Sequence, residues 1–464
     1  MFDDDAYDDL ALARLSVPAT APGGMSRRRF LQLTGGGVGL AAGAVTLSPM
    51  IDQMRAFAAP PIGPTDGVLL LLMLDGGNDG LNMAIPRGDS AYYAKRPRIA
   101  IPAGQVLPPT ADTGLHPALT RVKTMYDQGK VAVVRGVGYR PADLSHFTSM
   151  GIWMNGWGGG SRPGGPTGWI GRYLDGLPNS ASESLLGVVM GSSVPLHMVG
   201  SVARASGLPQ NISRAFGIDR TKAEDRRMFD AMSAFGGGPT QLGQWGDLVA
   251  KTERNTLDLA QRVQPAYQGE FPESDLGRQL VLSARLINAN LGIRVLSVHL
   301  GGFDTHSDQP ADHAELMANL NASIGAFFDT LSATYKSRVT LMSFSEFGRR
   351  PEDNDTSGTD HGTAAPHFII GDQVAGGVYR GPPSLTALDS NGNLVNTVDF
   401  RQVYATVLDQ WLKADSRELL GYNFGNLPLF VAGGPGGTGG AGNPGTPVGP
   451  VKPFRRLRKR LTAA

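Results

Sequence analysis
The chain has 464 residues, 41% of them hydrophobic and 18% charged, with a formal net charge of +1. That length can bury one large α/β domain with insertions, or two domains, and a charge so near zero excludes the strongly basic face of a nucleic-acid binder. With 63 glycines and 32 prolines much of the chain must be loop, and the lack of cysteine removes disulfides, thiolate metal sites and a cysteine nucleophile.

The N-terminus reads as an address. Ser26-Arg-Arg-Arg-Phe-Leu31 precedes a Gly/Ala-rich apolar stretch over about 33–50 and the small-x-small pattern Ala56-Phe-Ala58. This is similar to a twin-arginine export signal covering 1–58, with Arg27 and Arg28 as the pair. Its apolar part, broken by Gly35, Gly36, Gly37, Gly39 and Gly43, suits a cleaved signal better than a transmembrane anchor. The expected partner is the twin-arginine export machinery, and the expected location is periplasm, cell envelope or outside. The acidic leader ahead of the signal has no physical account.

Residues 59–431 form the expected folded domain. Val68–Leu74 is a continuous apolar run of strand length, which implies burial on both faces as in a parallel sheet covered by helices. Asp75 follows it, before two glycines, and is read either as a turn-capping acid or as a carboxylate aimed into the crevice at a sheet's carboxyl edge. No GxxxxGK[ST] or GxGxxG phosphate loop is present. A helix over about 117–128 leads into a strand at Val131–Val134. Ser145 then opens a helical segment over 146–155, so its hydroxyl is a helix cap, a nucleophile, or both.

Trp153, Trp157 and Trp169 around a Gly-rich loop read as a small core rather than a sugar platform. The stretch 170–290 holds a strand at Leu186–Met190 and amphipathic helices over 220–234, 240–264 and 274–290, read as an insertion or cap over the sheet. The core resumes with a strand over 293–300, in which His299 reads as a core residue. The loop with Asp304 and His306 follows, then a helix over 311–337. The apolar strand Val339–Phe344 runs into a polar loop carrying Glu346, Arg349, Asp360, His361 and His367, with a further strand from Phe368 and a last helix over 400–412. From 432 to 464 the chain is a Gly/Pro-rich linker with a basic tail, read either as a disordered terminus or as a contact for anionic envelope polymer or lipid.

The recurring pattern is apolar strand, glycine-rich turn, then acid or histidine. In a parallel sheet such turns share one edge, so distant clusters converge there. Oxygen donors mixed with imidazole suit zinc first, with manganese, magnesium or calcium as alternatives.

GGNDGLN (Gly76–Asn82), SHF (Ser145–Phe147), GGFDTH (Gly301–His306) and SEFGR…GTDHG (Ser345–Gly362), behind a twin-arginine leader, resemble the DUF1501 family of the alkaline phosphatase/sulfatase-like superfamily. The resemblance implies an alkaline-phosphatase-like three-layer α/β/α sandwich with a mostly parallel central sheet and a helical insertion. It implies one metal on Asp75, Asp360 and His361, a second on Asp304, His306 and His367, and Ser145 as nucleophile. Arg349 would bind peripheral oxygens of the anion, and Glu346 would take a further metal or orient the site. Two features depart from the superfamily. Asp304 and His306 are two apart where the superfamily pair is spaced four apart, and no Cys/Ser-x-Pro-x-Arg motif surrounds Ser145. The expected activity is metal-dependent hydrolysis of phosphate or sulfate esters, on an anionic substrate that includes envelope polysaccharide. The rival reading is a non-catalytic envelope binding or assembly protein on the same fold.

Overall fold
The computed structural model describes residues 62–63, 66–157, 166–210, scattered positions between 222 and 231, and 259–431. The expected export signal, the helices over 220–234 and 240–264 for the most part, and the linker and tail from 432 lie outside the described residues.

Strand β1 (Val68–Leu74) occupies the middle of the sheet, between two parallel neighbours. In chain order the other strands are β2 (Ala84–Ile85), β3 (Gly114–Leu115), β4 (Val131–Gly138), β5 (Gly187–Met190), β6 (Ser206–Leu208), β7 (Val295–Leu300), β8 (Val339–Phe344), β9 (Ala365–Ile370), β10 (Gly377–Tyr379) and β11 (Val398–Asp399). The nine-stranded sheet runs β10-β4-β9-β8-β1-β7-β5-β6, with β11 also on β4, while β2 and β3 form a separate ribbon. Every pair in the large sheet is parallel except those of β9, which is antiparallel to both β4 and β8. The carboxyl ends of β1, β4, β7 and β8 therefore share an edge with the amino end of β9.

Side-chain alternation along β1 explains why the sheet is covered twice. Val68, Leu70, Leu72 and Leu74 enter one core with helices α1 (Thr120–Asp127), α4 (Asp275–Asn288) and α5 (Gln309–Thr330). Leu69 and Leu71 enter the other, with α2 (His146–Asn155), α3 (Trp169–Asp175) and α6 (Phe400–Thr406). The result is a mixed α/β sandwich of three layers. Each fully buried leucine of β1 contributes about 1.5–3 kcal/mol.

Several expectations shift. The helix over 311–337 ends at Thr330, and a separate short turn, Ala333–Lys336, follows. The last helix turns into a π-helical stretch at Val407–Trp411. Of the stretch 170–290, β5 and β6 join the large sheet and α4 packs against it, while most of the other two helices read as an insertion lies outside the described residues. Trp153 and Trp169 are buried, as a core reading requires. His299 is not: it is exposed, because β7 runs on past Ser297, its last partner on β5. Among the described residues no helix is long and apolar enough to cross a membrane.

Candidate metal centre
The carboxyl edge is built by short turns. After β1, Gly76 and Gly77 take φ of +116° and +72°, which allows the chain to reverse against its neighbours. A Cβ on Gly76 would lie 2.6 Å from the Asp304 nitrogen, and one on Gly77 would lie 2.3 Å from the Phe347 ring. The long loop after β8 doubles back on itself. Arg349 and His361 form an antiparallel bridge, and Gly362 N donates to Gly348 O at 2.8 Å. One loop thereby delivers both Glu346 and the Asp360-His361 pair to the edge.

His146, Asp304 and His361 converge there, with ligand atoms all within 4.8 Å of one another. His146 Nε2 lies 3.5 Å from Asp304 Oδ2, and His361 Nε2 lies 3.1 Å from Asp304 Oδ1. The opposite nitrogens are committed. His361 Nδ1 is 2.9 Å from the Leu144 carbonyl, which can only accept, and His146 Nδ1 is 2.8 Å from Glu346 Oε1. With protons on both Nδ1 atoms, both Nε2 atoms turn lone pairs toward a carboxylate; Arg349 and His306 Nε2, the latter 3.1 Å from His361 Nε2, relieve these like partial charges in part, and a cation would relieve them further. Donors about 2.0–2.1 Å from a tetrahedral zinc sit about 3.3 Å apart; each histidine is near that distance from one oxygen of Asp304, and the three-residue set, which closes to within 4.8 Å, would draw in around an ion. Three protein donors and a solvent-facing side would leave room on an ion held there for water or a further ligand.

Glu346 is fully buried and orients His146. Its Oε1 also accepts from Gly76 N (3.0 Å), and its Oε2 accepts from Ser345 Oγ (3.0 Å). Burial would raise the Asp304 carboxyl, but the hydrogen bond and charge of Arg349 hold it below the usual carboxylate range. Asp75 behaves oppositely: desolvation among the loops, followed by the charge of Glu346, pushes its carboxyl up, against the partial offset of His299 and His146. His306 stands at the mouth, its Nε2 3.0 Å from Asp304 Oδ1 and its Nδ1 3.5 Å from Asp360 Oδ1.

The ligand grouping implied by sequence is rearranged. Asp304 and His361 belong to one cluster rather than two, and His306 and Asp360 lie on its outer side. His367 is not at the edge: it is buried in β9, 5.0 Å from the Trp153 ring, with neither ring nitrogen hydrogen-bonded. It shares strand parity with Ile369, which faces the Trp153 core, so its side chain points away from the turns. Arg349 does not await an anion. It is 1% exposed, and its donors go to Gly77 O (2.6 Å), Thr359 O (2.7 Å), Phe303 O (3.1 Å), Gly76 O and Asp304 Oδ1 (2.6 Å). It fastens three loops and compensates Asp304. Ser145 is the residue before α2, exposed, and its hydroxyl makes no cap hydrogen bond.

The family described as "Protein of unknown function (DUF1501)" matches residues 67–429. The chain belongs to this family. No curated protein matches it. Among solved structures, the PsFucS1 sulfatase from Pseudoalteromonas sp. is 12% identical, with 84% of this chain and 76% of that one covered and a TM-score of 0.33. A protein in the alkaline phosphatase superfamily from Vibrio parahaemolyticus is 8% identical, covering 72% and 71%, with a TM-score of 0.27. Alkaline phosphatase from the Antarctic bacterium TAB5 is 11% identical, covering 66% and 92%, with a TM-score of 0.22. Likenesses this distant carry nothing about activity, and the DUF1501 site is read from its own side chains.

The member of the DUF1501 site that sequence reasoning passes over is His146. It stands beside Ser145, at the carboxyl side of β4, and was readable as one more histidine on the shared edge.

Proposed function
We propose that this protein is an exported, cation-dependent hydrolase of phosphate or sulfate esters. The observation that carries the reading is the convergence of two imidazole lone pairs on the Asp304 carboxylate, each imidazole locked from behind by Leu144 O or Glu346. His146, Asp304 and His361 would hold the ion, with zinc the best match to two imidazoles and one carboxylate. A bound divalent ion supplies Lewis-acid stabilisation of the charge that develops on a transferring phosphoryl or sulfuryl group.

The chain's own residues supply the rest. Ser145, exposed and with its hydroxyl outside any cap bond, is the nucleophile, beside the Leu144–His361 contact. His306 holds a proton at the mouth, between Asp304 and Asp360, where a leaving oxygen would depart. Side chains of Asp304 and His306 about half exposed suit an ester carried on a larger molecule such as an envelope polysaccharide. Export rests on the Arg27-Arg28 leader alone, and replacement of both by lysine should retain the protein in the cytoplasm.

The test is hydrolysis of p-nitrophenyl phosphate and p-nitrophenyl sulfate before and after chelation. Activity lost to the chelator and restored by one cation supports the reading, as does a fall of about three orders of magnitude or more in Ser145→Ala. Bound cation with no turnover on a broad ester panel sinks it and leaves a non-catalytic envelope binding or assembly protein.

A further inference from the structure
The cation site draws its donors from loops far apart in sequence, so something must set their spacing. Arg349, itself buried, is one such tie. A second is built from other residues. Gln309, the first residue of α5, is fully buried. Its Nε2 donates to Asp79 Oδ2 at 2.5 Å, and its Oε1 accepts from Thr305 Oγ1 at 3.0 Å and Thr359 Oγ1 at 2.7 Å. The orientation of the amide is forced: a carboxylate only accepts, so the nitrogen faces Asp79 and the oxygen faces the two hydroxyls.

Each partner sits on a different site loop. Asp79 closes the turn that begins at Asp75. Thr305 lies between Asp304 and His306. Thr359 precedes Asp360 and His361. Asp79 is itself pinned by Arg96 (2.5 Å, both side chains buried), which also donates to Pro351 O at 2.9 Å and Arg350 O at 2.8 Å. The backbone repeats the link, since Asp308 N donates to Thr356 O and Gln309 N to Ser357 O.

We infer that Gln309 is the positioning residue of this site: one buried carboxamide holds the β1, β7 and β9-side loops in register, and with them Asp304 against His361. The inference rests on the cation-site reading above for its functional meaning, but the linkage itself can be tested without metal.

The experiment compares the full chain with Gln309→Met, which keeps length and loses the amide, and with Thr359→Val, which keeps the side chain's shape and removes one hydroxyl that donates to the same amide oxygen. Amide hydrogen exchange is followed in chelator, and zinc affinity by competition with a chelating dye. The expected result for Gln309→Met is faster exchange in peptides covering 75–81, 303–309 and 356–362 together, with β1 and β7 unchanged. Zinc binding should weaken about 10–100-fold, the usual scale for a residue that orients ligands. Thr359→Val should speed exchange over 303–309 and 356–362 and weaken zinc binding by less than Gln309→Met does. Faster exchange confined to the first turn of α5, or spread across the whole sheet, overturns the inference, as does zinc affinity within twofold of wild type. A wild-type chain that takes up no zinc sinks the cation reading instead, and the exchange arm alone then decides the role of Gln309.

Discussion

His361 donates its Nδ1 proton to the carbonyl oxygen of Leu144 across 2.9 Å, tying the loop ahead of β9 to the loop after β4. The bond settles which nitrogen faces the shared edge, and leaves a lone pair rather than a proton on His361 Nε2 there.

The first prediction follows from that tautomer. Asp304→Ala and His361→Ala should each reduce bound zinc to background by elemental analysis. Glu346→Gln should leave it present but bound about 10–100-fold more weakly, because only the orientation of His146 is loosened. Asp360→Ala and His367→Phe should retain wild-type metal content. Unchanged metal in Asp304→Ala would refute the ligand assignment.

Arg349 gives a second. Removing its guanidinium strands four backbone carbonyls and leaves Asp304 without its main counter-charge. Arg349→Ala should cost several kcal/mol by urea unfolding, about 1 kcal/mol or more for each buried carbonyl left without its donor. Arg349→Lys should not rescue it, since an ammonium cannot reproduce the planar fork.

Acid should weaken the fold. Burial holds His116 and His313 down to about 4, and His197 and His367 down to about 3, against an ordinary value of 6.5. Between those values and 6.5 the unfolded chain binds more protons than the folded one, so stability is complete above about pH 6.5 and falls as pH drops. Each group removes about 1.4 kcal/mol per pH unit in that window, so about 2 kcal/mol by pH 5, and the four together remove on the order of 8 kcal/mol. Urea midpoints at pH 7.5, 6 and 5 check it; a midpoint that rises on acidification would contradict it.

Gly77→Ala is a fourth case. A methyl group there meets the Phe347 ring at 2.3 Å, on backbone at φ +72° that L-residues seldom adopt. The Phe347 ring packs 4.9 Å from His146 and 4.7 Å from His361. The substitution should therefore destabilise the fold by about 1–3 kcal/mol and weaken zinc binding as well, read by calorimetry and dye competition on the same sample.

The architecture was legible because β1 is apolar at every position, a pattern that only a doubly covered strand requires, and because acids and histidines recur directly after such runs. The assignment of individual histidines was less so. Their roles turn on strand parity and on how far a neighbouring strand extends, neither of which one sequence displays. His367 sits two positions into a strand whose direction is opposite to the rest, and its parity sends it to the Trp153 core. His299 looks like a core residue until β5 proves too short to cover it. His146 was hidden behind its neighbour Ser145, and Gln309 had no signal at all, since a polar residue opening a helix is commonplace.

The reversal of β9 has a consequence for how this edge can change. Because β8 arrives and β9 departs at the same place, everything between Ser345 and Ala364 is a single excursion anchored at both feet by the sheet. Residues 352–357, at its far tip, are laced back to the turn after β7: Asn354 Nδ2 and Thr356 Oγ1 donate to His306 O, Asp308 N to Thr356 O and Gln309 N to Ser357 O. The excursion is held at its tip as well as its feet, so an insertion there would reach His306 and Asp360 before it reached Glu346.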